Sequence, residues 1–382
     1  MVSFFPPSTS HFEEDIVKIT DLSVTVFKWE SPAWNTAKMV FGGERRLGVV
    51  TVHTDEGIEG HCFLGSARES VDVFCGPLVE WLKPTLVGRN PLDTGALWTD
   101  MWRHKRYVNV RTIGAVDVAL WDLAGKVANL PIHRLIGTCR ESVPAYASSA
   151  HLPTPKAYAE EALHFLSLGW PAYKIHPHGV PNEDVEICRA VREAVGERMV
   201  LMLDAMWAYG YEDALRVGRA IEELKYFWYE DPLADDDIYG YVKLHSKLDI
   251  PLLSTEYVPG GFHGMATWIM QGATDMLRGD VMVTGGITPL IKVAHMADGF
   301  RMKCEIHHGG NSLGNAANLH VTMAINNCDY YEVFPANGAN KYGLVEDIEV
   351  DSKGLVHAPQ KPGLGFEIDW ELVKRNKVAV IR

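Results

Sequence analysis

No run of this 382-residue chain stays apolar for the ~18 residues that a membrane span needs, so no transmembrane helix is expected. Met1 to Glu14 lacks a basic segment followed by an apolar run, so a secretory leader is not expected either. Cysteine is sparse: Cys62, Cys75, Cys139, Cys188, Cys304 and Cys328 are scattered, with no CxxC pair and no regular spacing. That pattern argues against a disulfide framework or a zinc site and fits reduced thiols in a cytoplasmic protein. Positive charge is short, and the net charge of −13 disfavours nucleic acid and anionic membranes as partners. An anionic small molecule stays open, because one bound metal ion reverses the local field. What is present is an ordinary 47% hydrophobic content, enough for a large core. The length suggests about two domains, or one barrel with additions.

Residues 1–15, rich in Pro, Ser and Phe, read as a mobile tail. Residues 17–29 and 47–64 alternate apolar and polar, and Asp55-Glu56-Gly57 makes the second stretch a hairpin. Residues 30–46 (ESPAWNTAKMVFGGERR) carry Pro, Gly and Asn and read as a long loop. Residues 68–136 read as helices, most clearly Ile113 to Val127, with Val116, Leu120, Leu123 and Val127 on one face. From about residue 143, short β-rich runs alternate with amphipathic helices every ~25 residues, the mark of parallel strands joined by crossover helices. That many units predict a closed α/β barrel rather than an open sheet. Residues 358–382 form a Pro-Gly turn and a tail that returns to the first domain.

Charged residues recur at the ends of the predicted strands: Lys174 and His176 in YKIHPHG, Asp204 in LMLDAMW, Glu230 in FWYEDP, Glu256 in LLSTEY, Asp280 in LRGDVMVTGG and His307 in CEIHHGG. In a βα barrel those ends all face one mouth. The steps from 204 to 230, 256, 280 and 307 are 26, 26, 24 and 27 residues, each about one βα unit. Asp204, Glu230 and Glu256 therefore offer oxygen ligands from three adjacent strands, a set that suits a hard cation such as Mg²⁺. Zinc would call for more His or Cys. Asp280 is placed to hold His307 by one ring nitrogen, leaving the other to act as a base. His308, next along, is expected to point elsewhere. Lys174 and His176, two apart, share one strand face.

These residues also carry a family resemblance. The carboxylate series, GAVDVALWDLAGKVANLPIHRLIG (114–137) and GDVMVTGGIT (279–288) with His307 together resemble the enolase superfamily, in its mandelate racemase-like branch. The resemblance implies an α/β fold: a (β/α)7β modified TIM barrel, here 141–357, with an α+β capping domain, here 1–140 joined by 358–382. It implies that the three carboxylates hold Mg²⁺ and that Asp280 and His307 form the family's dyad. Where relatives read Lys-x-Lys, this chain has Lys174 and His176, which puts the second base in question. Lys174 would tune a neighbour's pKa or contact a substrate carboxylate. Glu332 in YYEVF aligns with a family glutamate that, protonated, would donate to the substrate carboxylate or enediolate. Met206 stands where relatives often carry Asn.

The activity implied is abstraction of the proton next to a carboxylate, with Mg²⁺ stabilising the enediolate charge. A dehydratase of a sugar acid (aldonate or aldarate), giving a 2-keto-3-deoxy acid, is the leading expectation. A racemase or epimerase on the same barrel, with His176 as second base, is the alternative, and a non-catalytic metal-binding protein comes third. Trp34, Lys38, Arg45 and Arg46 in the polar 30–46 segment are expected to contact substrate. The family's habit suggests a homo-oligomer, a dimer or octamer.

Overall fold

The computed structural model describes residues 17–36 and 39–382. The expected N-terminal tail and Lys38 lie outside the described residues. Strands β1 (Ile19–Asn35), β2 (Val40–Thr54) and β3 (Gly60–Leu64) form an antiparallel sheet. The parallel strands that follow are β4 (Ser142–Ser148), β5 (Ala172–Ile175), β6 (Val200–Asp204), β7 (Tyr229–Glu230), β8 (Leu252–Ser254), β9 (Met276–Gly279), β10 (Lys303–Ile306) and β11 (Tyr331–Val333). They are ordered β10-β9-β8-β7-β6-β5-β4-β11, so the barrel seam falls between β10 and β11. A helix connects each strand to the next, which gives the (β/α)7β arrangement that the family resemblance implies. Two late strands tie the chain together. β12 (Leu355–His357) runs antiparallel to the start of β4, and β13 (Lys377–Ile381) returns to pair with β1.

Side-chain alternation explains the barrel interior. Tyr146, Ala172, Met202, Trp228, Leu253 and Met276 form an apolar plug of their own. Two residues further along the same strands, on the same inner face, stand Lys174, Asp204, Glu230 and Arg278. A step of two thus changes the filling from oil to charge at the mouth.

The described residues of the 30–46 segment are mainly strand rather than loop. β1 and β2 stay paired out to Asn35 and Val40, with a bulge between Ser31 and Trp34. Trp34 stacks on Phe41 at 4.6 Å, meets Phe334 edge-on at 5.0 Å and is 6% exposed. The Pro and Gly that suggested a loop serve the bulge instead. Gly42 has φ +133°, and a Cβ there would come within 2.9 Å of the Ala33 Cα.

Helix Val110–Ala128 starts at Asn109, whose side chain accepts from the Arg111 N–H, and ends at Asn129 in the left-handed region. It packs on the barrel so closely that a Cβ on Gly114 would lie 2.4 Å from the Val281 carbonyl oxygen. Asp117 of this helix accepts from the N–H and hydroxyl of Thr288 at 2.9 and 2.7 Å. All six cysteines are free thiols. No helix among the described residues is long and apolar enough to cross a membrane.

Candidate active site

The barrel mouth opens into a cavity of about 330 Å³, within the range of small-molecule sites. His176, Asp204, Glu256, His307 and His308 all line it. The chain around it is strained. Met206, Trp207, Asp231 and Thr255, just beyond the ends of β6, β7 and β8, all have positive φ (+47°, +60°, +42° and +88°). Such conformations cost free energy in non-glycine residues and gather at functional sites.

One wall holds the dyad. Asp280 and His307 follow the register pair Gly279–Ile306 of β9 and β10. His307 Nδ1 lies 2.6 Å from Asp280 Oδ2, and the other Asp280 oxygen accepts the Met282 and Val283 N–H groups. With the carboxylate pinned, His307 Nδ1 is the donor and Nε2 carries the lone pair. Glu256 Oε1 is 3.4 Å from that Nε2. Burial alone would lower the His307 pKa, but Glu256 and Asp280 outweigh it and raise it.

His176 reaches the cavity from β5. Its Nδ1 donates to the Ser149 carbonyl at 2.6 Å, and its Nε2 faces Asp204 Oδ2 at 2.9 Å. Nε2 is therefore the nitrogen that can exchange a proton at the mouth.

Lys174 does not reach the cavity. It is fully buried beneath the floor, with Nζ 3.3 Å from Asp204, 3.0 Å from Glu230 and 2.8 Å from Glu332. Arg278, also fully buried, is paired with Glu230 at 2.7 Å and with Glu332. The Arg278 Nε–Glu230 and Lys174–Glu332 Oε1 contacts are close without being aligned as hydrogen bonds. Burial pushes the Glu332 carboxyl up, but Lys174 and Arg278 dominate and hold it well below the usual range. Glu332 is therefore an ionised acceptor, not the protonated donor expected of it.

Asp204 and Glu230 are a register pair on β6 and β7. They share Lys174, while Glu256 leans towards His307, and the donor atoms of the three do not all come within 4.8 Å of one another. The tighter groups are Glu256–Asp280–His307 and His307–His308–Glu332. The surroundings nevertheless suit a cation. Asp231 and Asp235 join Asp204, Glu230 and Glu256, and Asp231 Oδ1 and Asp235 Oδ1 are buried without a hydrogen-bond partner. Burial first, then the charges of Asp235, Glu256 and Asp204, drive the Asp231 carboxyl far up. This all-oxygen, mutually repelling set fits a hard divalent ion, with Asp204, Glu230 and Glu256 as the residues that would hold it.

The other substrate-contact expectations divide. Trp34 borders a small recess beside His307 and His308. Arg45 Nε is bound to the Ala67 carbonyl and Arg46 to Asp72, and neither lines the cavity. Arg68 lines it instead. Its guanidinium lies over the Trp34 ring at 5.2 Å, and no carboxylate pairs with it among the described residues. His308 lines the cavity beside His307, because both lie beyond the end of β10, where strand alternation no longer applies. The outer wall, with Met39, Phe41, Met206 and Trp207, is more apolar than the composition of residues 30–46 suggested. Arg278 was legible by its two-residue offset from Asp280. Asp231 was not, because its left-handed φ breaks the alternation.

Comparisons with known proteins agree with this geometry. A profile described as "Enolase C-terminal domain-like" matches residues 157–372, and one described as "Mandelate racemase / muconate lactonizing enzyme, N-terminal domain" matches 22–137. The arabinonate dehydratase of Saccharolobus solfataricus is 30% identical over 298 residues, 75% of this chain and 79% of that protein. The N-succinyl-L-Arg/Lys racemase of Bacillus cereus is 28% identical, over 86% of this chain and 90% of the racemase. The crystal structure of D-glucarate dehydratase from Agrobacterium tumefaciens, complexed with magnesium, superposes with a TM-score of 0.87 at 34% identity, covering 95% of this chain and 99% of that one. With both profiles matched in order and the carboxylates and dyad at one barrel mouth, this chain belongs to the mandelate racemase / muconate lactonizing enzyme family of the enolase superfamily.

Proposed function

We propose that this protein is a magnesium-dependent dehydratase of a sugar acid, an aldonate or aldarate. The observation that carries the reading is the oriented His307–Asp280 pair, which leaves Nε2 as the nitrogen facing the cavity, beside the Glu256 carboxylate. Arabinonate, xylonate and L-talarate/galactarate dehydratases among its relatives favour dehydration as the outcome. Magnesium held by Asp204, Glu230 and Glu256 would supply electrostatic stabilisation to the charge that builds on the substrate carboxylate.

The chain's own residues supply the rest. His307 Nε2 takes the α-proton, and Asp280 stabilises the imidazolium that results. The electron pair left at carbon forms the enediolate and then expels the β-hydroxyl. That group leaves as water once His307 or His176 Nε2 has protonated it. The enol product tautomerises to a 2-keto-3-deoxy acid. Lys174 and Arg278 act from below the floor, holding Asp204 and Glu332 in their charged form. Arg68 offers an anionic substrate a cation at the cavity wall that pairs with no carboxylate among the described residues.

A racemase or epimerase is the second reading, favoured by His176, which enters the same cavity from a different strand. A screen of aldonates and aldarates with Mg²⁺, assayed for 2-keto acid, tests the proposal. One or more acids giving that product supports it. A library that is epimerised without loss of water would overturn it.

A further inference from the structure

His308 follows the base directly, and its ring is held between two others. The centroids lie 4.4 Å from His307 and 5.7 Å from Phe334, with interplanar angles of 26° and 25°. Its Nδ1 is occupied. The Gly310 N–H donates to it at 3.3 Å, and the Asn340 side-chain amide lies 3.1 Å away. A ring nitrogen that accepts from a backbone N–H carries no proton, so the ring proton sits on Nε2. A second proton on Nδ1 would face those donors head-on. Burial first, then the neighbouring His307, lower the His308 pKa, which agrees with a neutral ring.

The Nε2–H has no partner among the described residues, although the side chain is only 6% exposed and borders both the main cavity and the adjoining recess. A donor that opens onto the cavity without a protein partner is free to meet an acceptor that arrives. The reaction proposed above needs a donor at this place. When the α-proton leaves, negative charge moves onto the carboxylate oxygens. Glu332 cannot answer it, because Lys174 and Arg278 keep it ionised and its Oε2 already accepts the His308 backbone N–H at 3.2 Å.

We propose that His308 Nε2–H is the neutral hydrogen-bond donor to a substrate carboxylate oxygen, in a contact that tightens as His307 removes the α-proton. Stacking sets the two imidazoles side by side, so base and donor address neighbouring atoms of one fragment, the α-carbon and the carboxylate attached to it. The C–H electron pair enters the enediolate, the proton goes to His307, and His308 keeps its own. The donor role rests on the proton-abstraction step of the proposed function, not on the loss of water that follows.

The test uses His308→Phe, which keeps the ring stack without the donor, and His308→Gln, which restores an N–H near the Nε2 position. The readout is the rate of α-hydrogen exchange in D₂O with Mg²⁺ and a sugar acid, followed beside melting curves. The expected result is a loss of about 10²–10³-fold in the maximal rate for Phe, a smaller change in KM, partial recovery with Gln, and unaltered melting. In the wild-type protein without substrate, imidazole nitrogen NMR should show His308 as the Nε2–H tautomer from about pH 5 to 8. Wild-type exchange in His308→Phe, or an Nδ1–H tautomer, would overturn the proposal. If the wild type exchanges the α-hydrogen but eliminates no water, the dehydratase reading fails while the donor role is still decided by the same exchange rates.

Discussion

Lys174 is the residue on which the buried charges of the barrel floor depend. It touches Asp204, Glu230 and Glu332, and Arg278 is the other cation among them. Lys174→Met should lower stability by about 3–5 kcal/mol, because it leaves three buried carboxylates with one fewer cation to balance their charge. Chemical unfolding measures the change, and an unaltered midpoint would show that the charges are not coupled in this way. His307→Asn should slow α-proton exchange by about 10²–10⁴-fold with little effect on melting, since Asn keeps a polar group near Asp280. At this scale the sequence was informative wherever a side chain ends a strand, because the βα period alone brings Asp204, Glu230, Glu256, Asp280 and His307 to one mouth. It was silent on pairing. Nothing local in YYEVF says that Arg278, 54 residues earlier, and Lys174 hold Glu332 ionised. Three-dimensional neighbours decide protonation, which is why the expected donor became an acceptor.

Among the elements, the β1–β2 hairpin and the helix Val110–Ala128 pack against the barrel. Trp34 fastens the hairpin tip to Phe334, just after β11. Trp34→Ala should release the tip and expose the segment between Glu30 and Arg46 to limited proteolysis, with a much smaller effect on global melting. Cleavage at the wild-type rate would contradict that anchoring. The hairpin was misread because Gly and Pro mark loops and bulges alike. The stacking of Trp34 on Phe41 that settles the matter is a contact between strands.

Asp117 ties the helix Val110–Ala128 to Thr288 of the barrel. Burial, opposed by its bonds to Thr288, pushes its carboxyl up to about 7 from an ordinary 3.8. The folded state therefore binds this proton more tightly than the unfolded chain. That stabilisation is complete below about pH 4 and is lost as pH rises through about 7. Asp117→Asn cannot ionise and still offers Thr288 an oxygen. Its melting temperature should fall less between those limits than that of the wild type, and parallel curves would refute the assignment.

The whole molecule follows from two periodicities. The step of ~25 residues yields the barrel, and the step of two along each strand separates the apolar plug from the charged mouth. Both are local patterns, so both were legible. The return of β13 to β1 and the keying of Gly114 against Val281 join distant parts of the chain, and only the tail's return was foreseen. In the proposed reaction His307 removes the α-proton beside a cation held by Asp204, Glu230 and Glu256, and water is then lost. The most direct measurement is NMR of an accepted sugar acid turned over in D₂O with Mg²⁺. The expected product is a 2-keto-3-deoxy acid carrying solvent deuterium at the carbon beside the new ketone, with turnover abolished by a chelator and by His307→Asn. Recovered substrate with deuterium at the α-carbon and inverted configuration, or turnover that survives His307→Asn, would contradict it.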